Sequence, residues 1–202
     1  MKIAEVQLVR KFVLAVAVLF AVAGFAVTRS THQSGGLLHE AIEWIGLLMM
    51  FVCIAGRCWT SLYIGGRKID QFVTIGPYSV MRNPLYTFSI LGAVGAGAQL
   101  GSIFAALFTG FVVWVVFAVV VRSEERLLLG IYAKEFEDYR VQVPRFLPNP
   151  GLWRDIPTIL VMPSRMVRTF GDGMMFLLSV PLADLVERLQ DAGVLPILFH
   201  IA

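Results

Sequence analysis

With 202 residues, 15% charged and 57% apolar side chains and a mean hydropathy of +0.75, the chain falls outside the composition of a soluble domain. Its length holds several spans of about 20 residues and leaves no room for a separate soluble catalytic domain, so residues 1–202 are expected to form one membrane-embedded domain. The formal charge of +3 comes from basic residues scattered beside apolar runs, a topology pattern that argues against nucleic acid as a partner.

In chain order, Lys2, Arg10 and Lys11 precede the uncharged run Phe12 to Thr28. The run superficially matches a signal peptide, but no A-x-A cleavage site follows it, and it is read as a retained first span. The second span, Trp44 to Tyr63, is interrupted only by Arg57, which either snorkels to an interface or faces the bundle interior. Cys53 and Cys58 lie on this span without CxxC spacing or nearby histidines, so no metal site and no disulfide framework is expected. Polar Gly65 to Asp70, the turn Gly76-Pro77-Tyr78 and the stretch Arg82-Asn83-Pro84 form a loop of functional length.

From Pro84 to Val121 there are 38 residues without a charge. As one helix they would extend roughly 57 Å against a hydrocarbon core of about 30 Å, so the segment must fold back on itself. The corner is expected at Gln99-Leu100-Gly101-Ser102, with a third span opened by Pro84 and a fourth from Ile103 to Val121. In the third span, Ala93, Gly95, Ala96 and Gly97 permit close helix approach or the admission of a ligand. Ser123 to Val141 mixes apolar and charged residues at helical spacing and reads as a cytoplasmic helix. Pro144 to Pro163 holds five prolines and should be irregular. Met174 to Leu189 and Val194 to Ile201 are short apolar segments, expected in the interface or packed on the bundle, with a fifth span as the alternative.

The expected fold class is therefore all-α. It is an integral membrane bundle of about four transmembrane helices with a cytoplasmic helix and a C-terminal interfacial helical segment. Its parts are the N-terminal spans (1–69), a core (70–148) and an extension (149–202). The basic residues before span one, between spans two and three and after span four place both termini and the long loop in the cytoplasm, and the compact architecture suggests a bacterial inner membrane.

Gly76 to Tyr86 read G-P-Y-S-V-M-R-N-P-L-Y, and the segment after span four reads R-S-E-E-R-L-L-L-G-I-Y-A-K-E-F-E-D-Y-R-V-Q-V-P-R-F-L-P. Two such motifs, in this order around a helical hairpin, resemble those of the isoprenylcysteine carboxyl methyltransferase and phospholipid methyltransferase superfamily. That family pairs G-x-Y-x-x-x-R-H-P-x-Y with an E-E-x-x-L helix ending in Y-x-x-x-V-P-x-x-x-P. The resemblance covers Asp70 to Pro148.

Membership implies S-adenosyl-L-methionine as methyl donor, bound on the cytoplasmic side by Gln71, Phe72, Val73, Tyr78, Asn83, Pro84, Leu85, Tyr86 and Glu124. Residue chemistry agrees: Tyr78 and Tyr86 offer aromatic surface, Glu124 an acceptor for ribose or amino groups, and Arg82 a charged donor. Taken singly, the same residues also read as interfacial tyrosines, a topology charge and a solvated acidic face.

The catalytic candidates are Arg82, Asn83 and Arg122, the last placed to hold an anionic group at the membrane surface. Asn83 and Asp70 stand where the family has histidines; asparagine can donate and accept hydrogen bonds but cannot titrate or become cationic. The expected reaction is in-line attack on the sulfonium methyl by a lipid-like or prenylated acceptor arriving from the bilayer, most simply an isoprenylcysteine-type carboxylate. A phosphatidylethanolamine-type amine is the alternative acceptor. An NADPH-dependent membrane reductase and a non-catalytic adaptor are the alternative functions.

Overall fold

The computed structural model describes residues 27–31, 36–64 and 72–201. The predicted first span falls outside the described residues except for its last two positions, and Asp70 and Gln71 also fall outside them. The described elements are β1 (Thr28–Ser30), α1 (Leu37–Ile64), the single turn α2 (Pro77–Val80), α3 (Pro84–Ala98), α4 (Ile103–Gln142), a 3-10 turn at Pro150–Leu152, α5 (Pro163–Met174), a 3-10 turn at Met175–Leu178, α6 (Ser179–Asp191) and β2 (Phe199–Ile201). The architecture is an all-α membrane bundle. Helix α1 and the run Ile103–Gln142 are long and apolar enough to cross a membrane, and α3 is a shorter apolar helix. Their outer faces expose Trp44, Leu48, Phe51, Phe104, Phe108 and Phe111, the side chains a bilayer would cover.

The fold-back occurs where the uncharged run demanded it, between Ala98 and Ile103. Gly101 turns the corner at φ +61, and a side chain there would run into the His39 ring. Three differences from the sequence-based expectation have physical causes. The fourth span and the expected helix over Ser123–Val141 join without a break at Val121, because no proline or glycine interrupts the chain before Gly130; within α4 the kink comes at Ala133, where φ is 40 and ψ −111, and separates two helical stretches. The C-terminal segment is longer than predicted. The amphipathic turns from Pro163 extend it to 29 residues, Pro163–Asp191, enough to cross a membrane by length and composition, which is the fifth-span alternative. Lastly, the end of the second short segment is a strand rather than part of a helix: Phe199–Ile201 pairs in parallel with Thr28–Ser30.

Packing divides the chain into two compact units, one formed by the residues up to Val52, Ile90–Val120 and the residues from Met174, the other by Cys53–Ser89 and Val121–Gly173. In the first unit small residues serve close helix approach: Gly46 lies against Gly95 and Ala98, and Gly97 against Ala105 and Thr109. Gln99 donates to the Glu43 carbonyl at 3.0 Å, and Arg29 pairs with Asp191 at 2.7 Å. The second unit contains both motifs.

Candidate functional site

The first motif is held by its glycine and its serine. Gly76 adopts φ 58 and ψ −133 beneath the Tyr63 ring, a position no side chain can share. Pro77 at the first turn then starts α2 with its φ already set, and the Ser79 hydroxyl donates back to the Gly76 carbonyl at 2.7 Å. All four residues of α2 are buried. The segment after α4 straps this turn in place: Gly76 N–H donates to the Arg154 carbonyl at 2.7 Å, Arg82 N–H to Pro144 at 2.8 Å, and Asn149 N–H to the Val80 carbonyl at 2.9 Å. The Tyr139 hydroxyl donates to the Tyr78 carbonyl at 2.6 Å. Tyr63 donates to Asp155 at 2.7 Å, and Trp59 stacks on Trp153 with ring centroids 5.8 Å apart.

The acidic pair of α4 meets this scaffold with two different partners. Tyr86, one turn into α3, donates its hydroxyl to Glu124 Oε1 at 2.9 Å. Glu125 takes Arg82 at 3.1 Å and a two-point contact from Arg145 at 2.6 and 3.2 Å. Arg82 and Glu125 side chains are only 13% and 12% exposed, so this pairing is largely desolvated. Burial lowers the proton affinity of the Arg82 guanidinium, and adjacent Glu125 opposes that shift. Burial also holds the Tyr78 phenol well above the usual tyrosine value, with Tyr139, Tyr86 and Glu124 acting in the same direction. The Tyr78 phenol is therefore neutral in the folded chain.

The remaining site candidates are distributed as follows. Phe72 sits in an aromatic cluster with Tyr132, Phe136 and Tyr139, with centroids 5.2, 5.6 and 4.9 Å away. Val73 and Leu85 are half-buried, and Pro84 is buried at the start of α3. Asn83 donates its amide to the Arg145 carbonyl at 3.2 Å, joining the two motifs through a backbone contact. Arg122 is exposed on α4 and makes no hydrogen bond or ion pair among the described residues. An open groove of about 430 Å³ touches the site only through Arg82; its other walls include Arg140, Gln142, Pro144 and Asn149, and Tyr78, Tyr86 and Glu124 are not among them. Sequence reasoning missed Glu125, Tyr139 and Arg145 as partners of the loop. The signal was present, since Glu125 is the second residue of the E-E pair and Tyr139 and Arg145 bracket the V-P of the second motif.

A family profile described as phospholipid methyltransferase matches residues 42–135. The nickel-cobalt-cadmium resistance protein NccN of Alcaligenes xylosoxydans xylosoxydans is 34% identical over 170 residues, 84% of this chain and 79% of that protein. The cobalt-zinc-cadmium resistance protein CzcN of Cupriavidus metallidurans is 34% identical over 151 residues, 75% of this chain and 69% of that protein. A protein-S-isoprenylcysteine O-methyltransferase of Schizosaccharomyces pombe is 30% identical over 95 residues, 46% of this chain and 40% of that enzyme. The chain belongs to the isoprenylcysteine carboxyl methyltransferase and phospholipid methyltransferase superfamily. No solved structure matches it. Within this methyltransferase superfamily, the profile takes in Arg82, Tyr86 and Glu124, whereas Arg145 and the Pro150–Asp155 strap lie beyond it.

Proposed function

We propose that the chain is an S-adenosylmethionine-dependent methyltransferase of a bacterial inner membrane, acting on a lipid-like acceptor from a loop that faces the cytoplasm. The observation that carries this reading is the 2.9 Å hydrogen bond from Tyr86 to Glu124, which brings the two halves of the family motif into contact. The chemistry of the donor set fits the cofactor. Glu124 presents a half-buried carboxylate suited to ribose hydroxyls or an amino group, the half-buried Phe72 presents aromatic surface for an adenine, and Arg82 offers a charged donor. When bound, S-adenosylmethionine supplies a methyl group on a sulfonium centre.

The residues do the rest by positioning. The Tyr86 hydroxyl orients the Glu124 carboxylate, and Glu125 fixes the Arg82 side chain of the loop. An acceptor carboxylate is already nucleophilic at neutral pH and needs no base, which suits a site where Asn83 replaces histidine. An isoprenylcysteine-type carboxylate is accordingly the preferred acceptor and a phosphatidylethanolamine-type amine the alternative.

Calorimetric titration of detergent-solubilised protein with S-adenosylmethionine tests the reading. Saturable binding is expected, weakened at least tenfold by Glu124→Ala or Tyr86→Ala and unchanged by Asn83→His. Absence of binding to the wild type, or binding of NADPH in its place, overturns it. Transfer of radiolabelled methyl to a farnesylated cysteine analogue or to extracted lipids then identifies the acceptor.

A second reading concerns the biological setting. The two relatives matched over most of this chain are named for resistance to nickel, cobalt, zinc and cadmium. Among the described residues no group of three or more His, Cys, Asp or Glu side chains is arranged to hold a metal ion. The link is therefore read as methylation serving resistance rather than as capture of the cation. Expression in a cobalt-sensitive bacterium should raise tolerance with the wild type and not with Glu124→Ala; equal tolerance from both excludes a methylation-dependent role.

A further inference from the structure

Arg57 is a charged side chain on α1, seven residues before the end of the helix and so about 10 Å in from it. It does not reach outward. Its guanidinium turns to the Ser89 hydroxyl on α3, a residue that is 2% exposed, and its Nε is buried without a partner. One turn further along α1, the Thr60 hydroxyl is likewise buried without a partner. Among the described residues, no carboxylate pairs with Arg57. A guanidinium stays protonated under all ordinary conditions, and a neutral hydroxyl satisfies only one of its five donors. Arg57 is half-buried with its Nε covered, and a cation placed inside a span without a counter-ion among the described residues is costly and marks a functional site.

Ser89 ties this cation to the methyl-donor side of the site. It lies three residues after Tyr86 on α3, on the same face and about 4.5 Å further along the axis. Tyr86 reaches Glu124 and Ser89 reaches Arg57, so one face of α3 carries the proposed cofactor contact and, one turn deeper, an arginine with spare donors.

We infer that Arg57, with Thr60, binds the anionic head group of the lipid-like acceptor and holds it one helical turn below the Tyr86–Glu124 pair. This assignment rests on the methyltransferase reading and narrows its substrate to an amphiphile bearing a carboxylate or a phosphate. Arg57 is a substrate-binding residue here. The edge formed by Nε and a terminal nitrogen of a guanidinium is the two-point donor that planar carboxylates and phosphates accept, and at Arg57 that Nε has its hydrogen unclaimed.

The test compares two soluble amphiphiles, N-acetyl-S-farnesylcysteine and lyso-phosphatidylethanolamine, each against a counterpart lacking the anion: the farnesylcysteine carboxamide and monoacylglycerol. Binding to full-length protein in a neutral detergent is measured for wild type, Arg57→Gln and Arg57→Lys, with S-adenosylmethionine titrated in parallel. The wild type is expected to prefer at least one anionic member over its counterpart by tenfold or more. Arg57→Gln should level that preference, Arg57→Lys should retain part of it, and all three should bind S-adenosylmethionine equally. Preference for the farnesylcysteine acid points to a carboxylate acceptor and preference for the lyso-lipid to a phospholipid. A preference that survives in Arg57→Gln, or no preference in the wild type, overturns the assignment. Loss of S-adenosylmethionine binding by the wild type instead overturns the methyltransferase reading on which it rests. If Arg57→Gln does not fold, Arg57→Lys carries the comparison: an unchanged acid preference and affinity in that variant counts against a fork-shaped contact and overturns the assignment.

Discussion

Glu124 and Glu125 are neighbours in the chain with separate partners. Glu125 neutralises Arg82 and Arg145 in a largely desolvated position, so Glu125→Gln leaves a buried arginine uncompensated. The expected cost is about 3 kcal/mol, read as a lower thermal midpoint in detergent. Glu124→Gln should leave the midpoint nearly unchanged while weakening S-adenosylmethionine binding. Equal destabilisation by both would contradict the division of roles. Tyr78 makes a pH prediction. Burial raises its folded pKa above the unfolded value of about 10, so its neutral form contributes stability that is fully present below pH 10. Above that pH the unfolded chain releases a proton that the folded chain keeps, and stability falls. Unfolding should become easier from about pH 10 upward, and Tyr78→Phe should reduce that fall.

At the scale of elements, the sequence announced the hairpin and hid the strap. A run of 38 uncharged residues cannot cross once as a straight helix, and Gly101 was the residue able to turn it. The first motif was legible for the same reason: Gly76, Pro77 and Pro84 are local backbone instructions. The contacts that fix the motif loop come instead from Pro144, Asn149, Arg154 and Asp155, tens of residues away in a proline-rich stretch with no periodicity to read. The join between the fourth span and the helix after it was not legible, because charge density changes at Val121 while helix propensity does not. The actual departure, at Ala133, has no sequence signal, since alanine is a strong helix former. That residue occupies positive φ, which only glycine adopts without strain. Ala133→Gly is expected to raise stability by about 1 kcal/mol, whereas the same change in an unstrained helix lowers it; a fall in the denaturation midpoint would count against the strained geometry.

Across the whole molecule, the membrane class followed from composition, while the strand that closes the described chain had no signal in it. Positive-inside reasoning over four spans set both termini on one side. The β1–β2 pairing sets His200 beside Arg29, in the connection that follows the expected first span, and the Arg29–Asp191 ion pair holds the same neighbourhood. Single cysteines introduced at Ser30 and His200, in a chain with Cys53 and Cys58 replaced by alanine, should react with an impermeant thiol reagent from the same side of the membrane. Labelling from opposite sides is incompatible with the strand pair. The divided acidic pair also constrains how this chain can change. Adjacent positions on a helix point about 100° apart, so Glu124 can face Tyr86 while Glu125 faces Arg82 only at one rotational phase of α4. Inserting one residue between Glu124 and Glu125 would turn the second carboxylate by about a further 100° and part it from Arg82 and Arg145. The acidic pair thus works as a vernier: the type of residue around it can drift, but the spacing inside it cannot.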